Sequence, residues 1–311
     1  MTLPLKPPIE PQLARSRSEL PVGEQWSYEP KYDGFRAIVF VDGDAIQSRS
    51  GKPLRRYFPE LSFPPGRYVL DGEIVVEGDG GEDFDALQQR IHPARSRIEL
   101  LAQQTPARYI AFDLLAHEDE SLLSRSFAER RAELEELAAA GIQLTPLTRE
   151  ADQAEPWLRS GEGVVAKDVR APYRPGERVG MVKVKRARTI DAVVMGYRPG
   201  KEEGTVGSLI LGLYDGSGKL HPVGHSSGLR AGEKRALVAR LAPFETGERG
   251  HGDPSRWKNE KELEWIGLRP ELVVEVTFDH VSGGRIRHGT KILRWREDKA
   301  PRECRLEQMS A

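Results

Sequence analysis

The stretch Tyr28-Glu29-Pro30-Lys31-Tyr32-Asp33-Gly34-Phe35-Arg36 predicts two strands joined by a tight turn, with one lysine at the turn. Alternating apolar residues over 37–41 extend the second strand, as expected for a strand buried on one face. Gly34 has no Cβ and therefore lets the chain fold back tightly. Lys31 could act as a nucleophile if its amine is kept unprotonated, or it could be a surface lysine in an ordinary hairpin.

The composition predicts a polar cytoplasmic protein. Its 311 residues suffice for one large domain or two ordinary ones. No apolar run approaches the roughly 20 residues of a membrane span, and the N-terminus lacks the apolar core of a secretory signal. The single cysteine, Cys304, excludes an intramolecular disulfide and favours a reducing compartment. Because the net charge is −1, nucleic acid would have to bind to local clusters of cations.

The pattern of predicted elements changes near residue 188. Before it, strands alternate with helices, and Ser126 with Glu129 forms a capping box that predicts a helix over 127–140. After it, short strands separated by glycine turns, with one helix over Ala231–Leu241, favour a small β-barrel. We therefore expect two domains, residues 1–188 and 189–311.

Three shorter segments of the first domain carry expectations of their own. Residues 1–25 are rich in proline and are expected to follow an irregular path over the surface. The acidic, glycine-rich residues 77–82 predict a loop, and residues 142–146 predict a strand.

Carboxylates interrupt predicted strands where apolar residues would be expected. Glu73 lies inside an apolar strand, Asp113 ends another, and Glu162 precedes a third. A single such acid is usually a strand end that faces water. Three of them together with Lys31 suggest a common site for a hard cation, since Mg²⁺ prefers carboxylate and phosphate oxygens.

Two lysines are spaced to share one face of a strand. Lys183 and Lys185 lie two residues apart, so their side chains project to the same side. Paired ammonium groups suit a phosphate, whereas a solvated strand edge would explain them equally well in isolation.

Seven motifs then follow one another in an order that resembles a known series. They are Lys31-Tyr32-Asp33-Gly34, Ser48-Arg49-Ser50-Gly51, Leu70-Asp71-Gly72-Glu73-Ile74, Tyr109-Ile110-Ala111-Phe112-Asp113, Glu162-Gly163-Val164-Val165-Ala166-Lys167, Val182-Lys183-Val184-Lys185 and Arg294-Trp295-Arg296-Glu297-Asp298-Lys299. This series resembles that of the covalent nucleotidyltransferases and, among them, the ATP-dependent DNA ligases. It is most similar to the small bacterial C-type ligases and to the ligase domain of D-type end-joining ligases, from Glu24 to the C-terminus.

The resemblance implies an α+β fold, in which a nucleotidyltransferase (adenylation) domain of antiparallel sheets with helices precedes an OB-fold β-barrel domain. It implies that 5′-phosphate/3′-hydroxyl nicks are sealed through lysyl-AMP and AMP-DNA, with ATP and Mg²⁺ as cofactors and Mn²⁺ as a substitute. The implied partner is nicked duplex DNA, with a repair polymerase or a DNA end-binding protein as recruiter. The implied state is a monomer in the bacterial cytoplasm, with the nucleoid.

The resemblance also implies residue roles. Lys31 attacks the α-phosphate of ATP and holds AMP as a phosphoramidate. Glu29 and the backbone at Pro30 read the adenine edge, while Phe112 stacks on the base. The other implied contacts are with ribose and phosphates (Arg36, Arg49), with ribose or a metal (Glu73), with a metal (Glu162), with phosphates (Lys167, Lys183, Lys185) and with the leaving pyrophosphate (Arg294, Asp298, Lys299).

Other functions share part of this pattern. RNA ligases and mRNA-capping guanylyltransferases have the lysine motif and nearly the same fold. A non-catalytic nucleic-acid-binding module would leave Glu73 and Glu162 unexplained. Larger ligases carry an additional DNA-encircling domain before the nucleotidyltransferase part. Only a short proline-rich segment precedes it here, so we do not expect high affinity for a nick without help.

Overall fold

The chain folds into two compact units, Met1–Arg186 and Ala187–Ala311. The structure is a computed structural model that describes residues 3–78, 81–185, 188–226, 228–251, 264–278, 281–282, 284–286 and 290–309. Among the described residues, three hydrophobic clusters lie in the first unit and one lies in the second.

Two sheets form the framework of the first unit. Its strands are β1 (Arg15–Arg17), β2 (Trp26–Pro30), β3 (Phe35–Phe40), β4 (Ala45–Ser48), β5 (Tyr68–Gly78), β6 (Gly81–Glu82), β7 (Ala107–His117), β8 (Glu120–Ser121), β9 (Val164–Asp168) and β10 (Met181–Val184). The smaller sheet has the order β1-β10-β9-β2, and the larger has the order β4-β3-β5-β7-β8 with β6 paired to β5. All pairings are antiparallel except that of β1 with β10.

In the described part of this unit, four α-helices accompany the sheets: α1 (Phe84–Gln89), α2 (Arg95–Gln104), α3 (Phe127–Ala138) and α4 (Ala151–Ser160). The predicted capping box is confirmed, since the Glu129 carboxylate accepts a hydrogen bond from the Ser126 amide at 2.8 Å. The sequence did not predict α2. Only Ile98 and Leu101 of this helix are buried, which is too few to produce a clear helical period.

Three expectations for the first unit are corrected. Residues 142–146 form no strand and contribute only an isolated bridge between Leu144 and Ala111. The predicted loop over 77–82 contains the end of β5 and the whole of β6. The N-terminal segment is not merely a surface wrapping, because it supplies β1 and buries Leu3 and Gln12.

The second unit is built around one seven-stranded sheet within the described residues. Its elements are β11 (Arg188–Pro199), β12 (Val206–Tyr214), β13 (Leu220–Ser226), α5 (Ala231–Leu241), β14 (Glu245–His251), β15 (Glu264–Leu268), β16 (Val273–Phe278), β17 (Val281–Ser282), β18 (Arg285–Ile286) and β19 (Lys291–Trp295). Along one edge β11 pairs first with β16 and then with β15, and along the other edge it pairs with β12. This sheet agrees with the predicted β-barrel, and α5 is confirmed. The strands β14, β15, β17 and β18 were not predicted.

No helix in the described part of the chain is long and apolar enough to cross a membrane.

Candidate active site

A cavity of about 900 Å³ lies within the first unit. Its volume falls in the range of small-molecule sites. Its lining includes nine of the residues that the sequence singled out: Glu29, Pro30, Lys31, Arg36, Arg49, Glu73, Phe112, Lys167 and Lys183. The cavity therefore gathers side chains from distant motifs into one place.

Strand alternation explains how the smaller sheet supplies polar groups to this cavity. Tyr28, Ala166 and Val182 are buried in the hydrophobic cluster that includes Ala154 of α4. Because successive side chains alternate, the next residues along these strands, Glu29, Lys167 and Lys183, project from the opposite face.

Lys31 lies in the loop between β2 and β3, where two acidic side chains surround it. Its amide donates to the Gly163 carbonyl at 2.9 Å, and its Nζ lies 3.5 Å from Glu162 Oε1. The same Glu162 oxygen lies 3.0 Å from Lys185 Nζ. Burial raises the pKa of Glu73 to about 8, although the nearby Lys31 and Arg36 oppose the rise.

Two glycines allow neighbouring segments of the chain to pack closely around Lys31. A Cβ on Gly163, which has φ +141°, would lie 2.2 Å from the Val184 carbonyl oxygen. A Cβ on Gly34 would lie 2.3 Å from the Ile74 carbonyl oxygen. Gly34 is therefore required for close packing against β5, as well as for the turn that the sequence predicted.

Lysines 31, 183 and 185 with Glu162 form what we call the open end of the site. The side chains of Lys31 and Lys185 are 22% and 32% exposed. Partial burial and the neighbouring cations Lys185, Lys31 and Arg49 lower the pKa of Lys183. Such a concentration of positive charge favours a polyanion such as a nucleotide phosphate chain.

Arg178 is a cation of this cavity that the sequence did not reveal. It lines the cavity and contributes to the lowered pKa of Lys183. It lies in a loop rather than in a motif, so no sequence pattern distinguished it from other surface arginines.

Glu29, Lys167 and Arg131 form a closed end, where the charges are buried and paired. Lys167 Nζ lies 2.8 Å from Glu29 Oε2 and donates to the Phe112 carbonyl at 2.8 Å. Arg131 Nη1 lies 3.5 Å from Glu29 Oε1, but no hydrogen bond satisfies either of these two atoms. Burial raises the pKa of Glu29, and the two cations offset part of that rise.

These contacts favour a revised role for Lys167. Its ammonium group lies 4.6 Å from the Phe112 ring centroid and 4.5 Å from that of Phe127, and its side chain is 4% exposed. The family resemblance implied that Lys167 neutralises phosphates. A cation held this way is better placed to fix the position of the Glu29 carboxylate. The sequence missed Arg131, which is far from Glu29 along the chain.

Arg36 is held by a second buried carboxylate. Its Nε and Nη2 atoms donate to the two oxygens of Asp71 at 3.0 and 2.6 Å, and Asp71 is fully buried. The guanidinium carbon lies 5.3 Å from the Phe112 ring centroid. Because two guanidinium nitrogens bind the two carboxylate oxygens, this bidentate ion pair fixes the orientation of the arginine side chain.

Asp113 does not belong to the predicted cation site. Its carboxylate accepts hydrogen bonds from Arg130 Nε and Nη2 at 2.7 and 3.0 Å, and both side chains are 2% exposed. This ion pair fastens α3 to β7. A carboxylate in a strand has the same appearance in the sequence whether it binds a metal or a distant arginine.

Glu73 and Glu162 fit a metal ion that is also coordinated by the phosphates of a substrate. Within the described residues, no cluster of three or more His, Cys, Asp or Glu side chains could hold a metal ion. Glu73 and Glu162 both lie near Lys31. Since Mg²⁺ is commonly held by one or two carboxylates together with substrate phosphates, this pair suits such an ion.

The barrel residues Arg294, Asp298 and Lys299 make their contacts within the second unit. Arg294 donates to Glu275 at 2.6 Å, and Arg296 donates twice to Asp298 at 2.9 Å. These bonds from Arg296 lower the pKa of Asp298 to about 2. Lys299 Nζ lies 3.4 Å from Glu303 and 3.9 Å from Asp191.

The chain matches two family models over most of its length. Residues 11–185 match the ATP dependent DNA ligase domain, and residues 202–299 match the ATP dependent DNA ligase C terminal region. Similar proteins include DNA ligase C1 of Mycolicibacterium smegmatis, which is 46% identical over 99% of this chain and 96% of that protein. DNA ligase C of Mycobacterium tuberculosis is 43% identical over 99% and 96%, respectively.

Solved structures point the same way. A mycobacterial DNA ligase D complexed with ATP and MES is 29% identical, with a TM-score of 0.50 over 94% of this chain and 97% of that one. A structure from a study of Lig E DNA ligases, 20% identical with a TM-score of 0.61 over 92% and 98%, supports the fold alone. The predicted nucleotidyltransferase and OB-fold architecture is thereby confirmed. With family models covering both units and relatives above 40% identity over nearly the full length, the chain belongs to the ATP-dependent DNA ligases.

Proposed function

We propose that Lys31 is the residue that carries AMP while the protein seals 5′-phosphate/3′-hydroxyl nicks in duplex DNA. The observation that carries this proposal is that Lys31 lines the cavity beside the carboxylates Glu73 and Glu162, with Lys183 and Lys185 nearby. In the first step, Lys31 Nζ bonds to the α-phosphorus of ATP and the bond to pyrophosphate breaks. The DNA 5′-phosphate then takes AMP from Lys31, and the 3′-hydroxyl displaces AMP.

The residues around Lys31 align and neutralise these groups. Arg49, Lys183 and Lys185 offset phosphate charge, because displacement at phosphorus depends mainly on alignment and electrostatic stabilisation. Glu73 and Glu162 would hold Mg²⁺, which when bound neutralises charge on the phosphates; Mn²⁺ would substitute. A covalent intermediate divides the activation of a poor leaving group into two easier transfers.

The closed end would accept the adenine base. Glu29 Oε1 is a buried acceptor without a hydrogen-bond donor, which suits the exocyclic amino group of adenine. Phe112 lines the cavity and would stack on the base.

The second unit would complete the first step. We assign residues 1–188 to adenylation and residues 189–311 to the OB-fold domain, whose Arg294, Asp298 and Lys299 would orient pyrophosphate. The protein would act on the bacterial chromosome as a monomer. A repair polymerase or a DNA end-binding protein would recruit it.

Labelling with ATP tests the central step. Lys31→Ala should form no covalent AMP adduct yet remain folded, because the substitution lies in the loop between β2 and β3. Lys219→Ala, which changes an exposed lysine of the second unit, should be labelled as the unchanged protein is. An adduct on the Lys31→Ala protein would refute the assignment. Replacing ATP by GTP, and DNA by RNA at the nick, separates ligation of DNA from RNA ligase and guanylyltransferase activity.

A further inference from the structure

The N-terminal strap, which we define as residues 3–17, connects the two sheets of the first unit. Ile9 exchanges two hydrogen bonds with the side chain of Gln47 in β4, at 2.9 and 2.7 Å. Farther along, β1 pairs with β10 of the smaller sheet. The strap therefore contacts both sheets from which the cavity side chains project.

Gln12, at the middle of the strap, is 3% exposed and holds the loop before β10 at several points. Its side-chain amide donates to the Val179 carbonyl and accepts from the Arg174 amide at 2.9 Å. Its main-chain N–H donates to the hydroxyl oxygen of Tyr173 at 2.9 Å. These bonds fix the position of the Tyr173 hydroxyl group.

The Tyr173 hydroxyl connects the strap to the pair formed by Asp71 and Arg36. A main-chain N–H can only donate, so the hydroxyl oxygen accepts from Gln12 and its single proton is free to bond elsewhere. That proton is donated to Asp71 Oδ2 at 2.7 Å. Burial and the adjacent Asp71 raise the pKa of Tyr173 well above its usual range, so the proton is retained at neutral pH.

The tyrosine ring itself has little freedom. Tyr173 is 2% exposed, its amide donates to the Leu123 carbonyl at 2.9 Å, and the Arg130 guanidinium lies 5.6 Å from its ring centroid. Arg130 is in turn fixed by Asp113. The hydroxyl is therefore presented to Asp71 from a rigid support.

Arg36 keeps part of its donor capacity after pairing with Asp71. Nε and Nη2 bind the carboxylate, whereas Nη1 has no acceptor within the described parts of the chain. Because Arg36 lines the cavity, this nitrogen is available to an oxygen of a bound ligand.

We propose that Tyr173 is a positioning residue for Arg36: held by the Gln12 amide, it orients Asp71 and thereby the guanidinium that contacts a ribose or phosphate oxygen in the cavity. This inference rests on the proposed function of the cavity. The strap thus takes part in ligation through the chain Gln12, Tyr173, Asp71 and Arg36, although Gln12 and Tyr173 lie outside the cavity lining.

Tyr173→Phe tests the inference, because it removes one hydroxyl and leaves the ring. Self-adenylation and sealing of a nick that already carries AMP are measured separately, together with the KM for ATP. We expect Tyr173→Phe to lower the same step that Arg36→Ala lowers, by about tenfold, as expected for loss of a hydrogen bond to a charged group. In an Arg36→Ala background, Tyr173→Phe should cause no further loss, since no guanidinium remains to be positioned.

Tyr68→Phe is the matched control. Tyr68 is also 2% exposed, and its hydroxyl donates to the Pro64 carbonyl at 2.5 Å. Loss of the Tyr68 hydroxyl should leave self-adenylation and sealing unchanged, even if the melting temperature falls as much as it does in Tyr173→Phe. Equal kinetic effects of the two substitutions, or losses from Tyr173→Phe and Arg36→Ala that multiply, would overturn the inference. Failure of the unchanged protein to form an AMP adduct would instead count against the proposed function.

Discussion

The two ends of the site hold their charges in different ways. At the closed end, Glu29 and Lys167 are 3% and 4% exposed and lie 2.8 Å apart. At the open end, Lys31 and Lys185 are 22% and 32% exposed and share one carboxylate, Glu162. Buried charges must be paired to be tolerated, whereas partly exposed charges retain water and can exchange partners. The closed end is therefore fixed before a ligand binds. At the open end, the lysines remain able to bind phosphates and the carboxylate remains able to bind a metal.

Lys167→Met gives the largest expected effect on stability. It leaves Glu29 buried with only the more distant Arg131, so we expect the free energy of unfolding to fall by about 3–5 kcal/mol, as for breaking a buried ion pair. Urea unfolding measures this loss. Adding Glu29→Gln to Lys167→Met should restore part of the stability, since the uncompensated charge is then removed. A double variant as unstable as the single one would show that Lys167 acts through packing alone.

Removing the carboxylates near Lys31 should mainly affect activity. Glu73→Ala and Glu162→Ala should each lower sealing about 100-fold at limiting Mg²⁺, comparable to removing a group that stabilises transition-state charge. The control is the melting temperature, which should change little for Glu162→Ala because its partners are partly hydrated. Full activity of both variants at limiting Mg²⁺ would exclude these residues from a metal site.

The sequence predicted residues whose position follows from local rules. Lys167 and Lys183 lie in motifs, and strand alternation places them with Glu29 on one face of the smaller sheet. Asp113 was assigned to the predicted cation site because, like Glu73 and Glu162, it is a carboxylate in or beside a predicted apolar strand. Only the arginine 17 residues later, Arg130, decides its role.

The residues that the sequence missed depend on contacts between distant segments. Tyr173 meets Gln12 across 161 residues and Asp71 across 102, and neither pairing leaves a periodic signal. The helix α2 was missed because most of its residues are exposed, so the hydrophobic effect imposes almost no pattern on it. Long-range partners of this kind are fixed by the fold as a whole.

Phe112→Ala examines whether the closed end binds a base. Removing the ring should weaken apparent ATP affinity by about 1–3 kcal/mol, the usual contribution of stacking between a base and an aromatic ring. Titration of ATP against self-adenylation measures the change. The ring also contacts Lys167 and Arg36, so stability is measured in parallel. A loss of stability with unchanged ATP affinity would place Phe112 in the core instead.

The smallest expected effect is that of Lys185→Met on stability, and it is the direct counterpart of Lys167→Met. Lys185 Nζ lies 3.0 Å from Glu162, nearly as close as Lys167 is to Glu29, so the distances alone predict similar losses. Exposure separates them, because Lys185 is 32% exposed and Glu162 also has Lys31 beside it. The free energy of unfolding should therefore change by less than about 1 kcal/mol, as for exposed ion pairs. Sealing should still decrease, because one of the cations that neutralise the phosphates is removed. If Lys185→Met were as destabilising as Lys167→Met, the open end would be as rigidly paired as the closed end, and the distinction between them would fail.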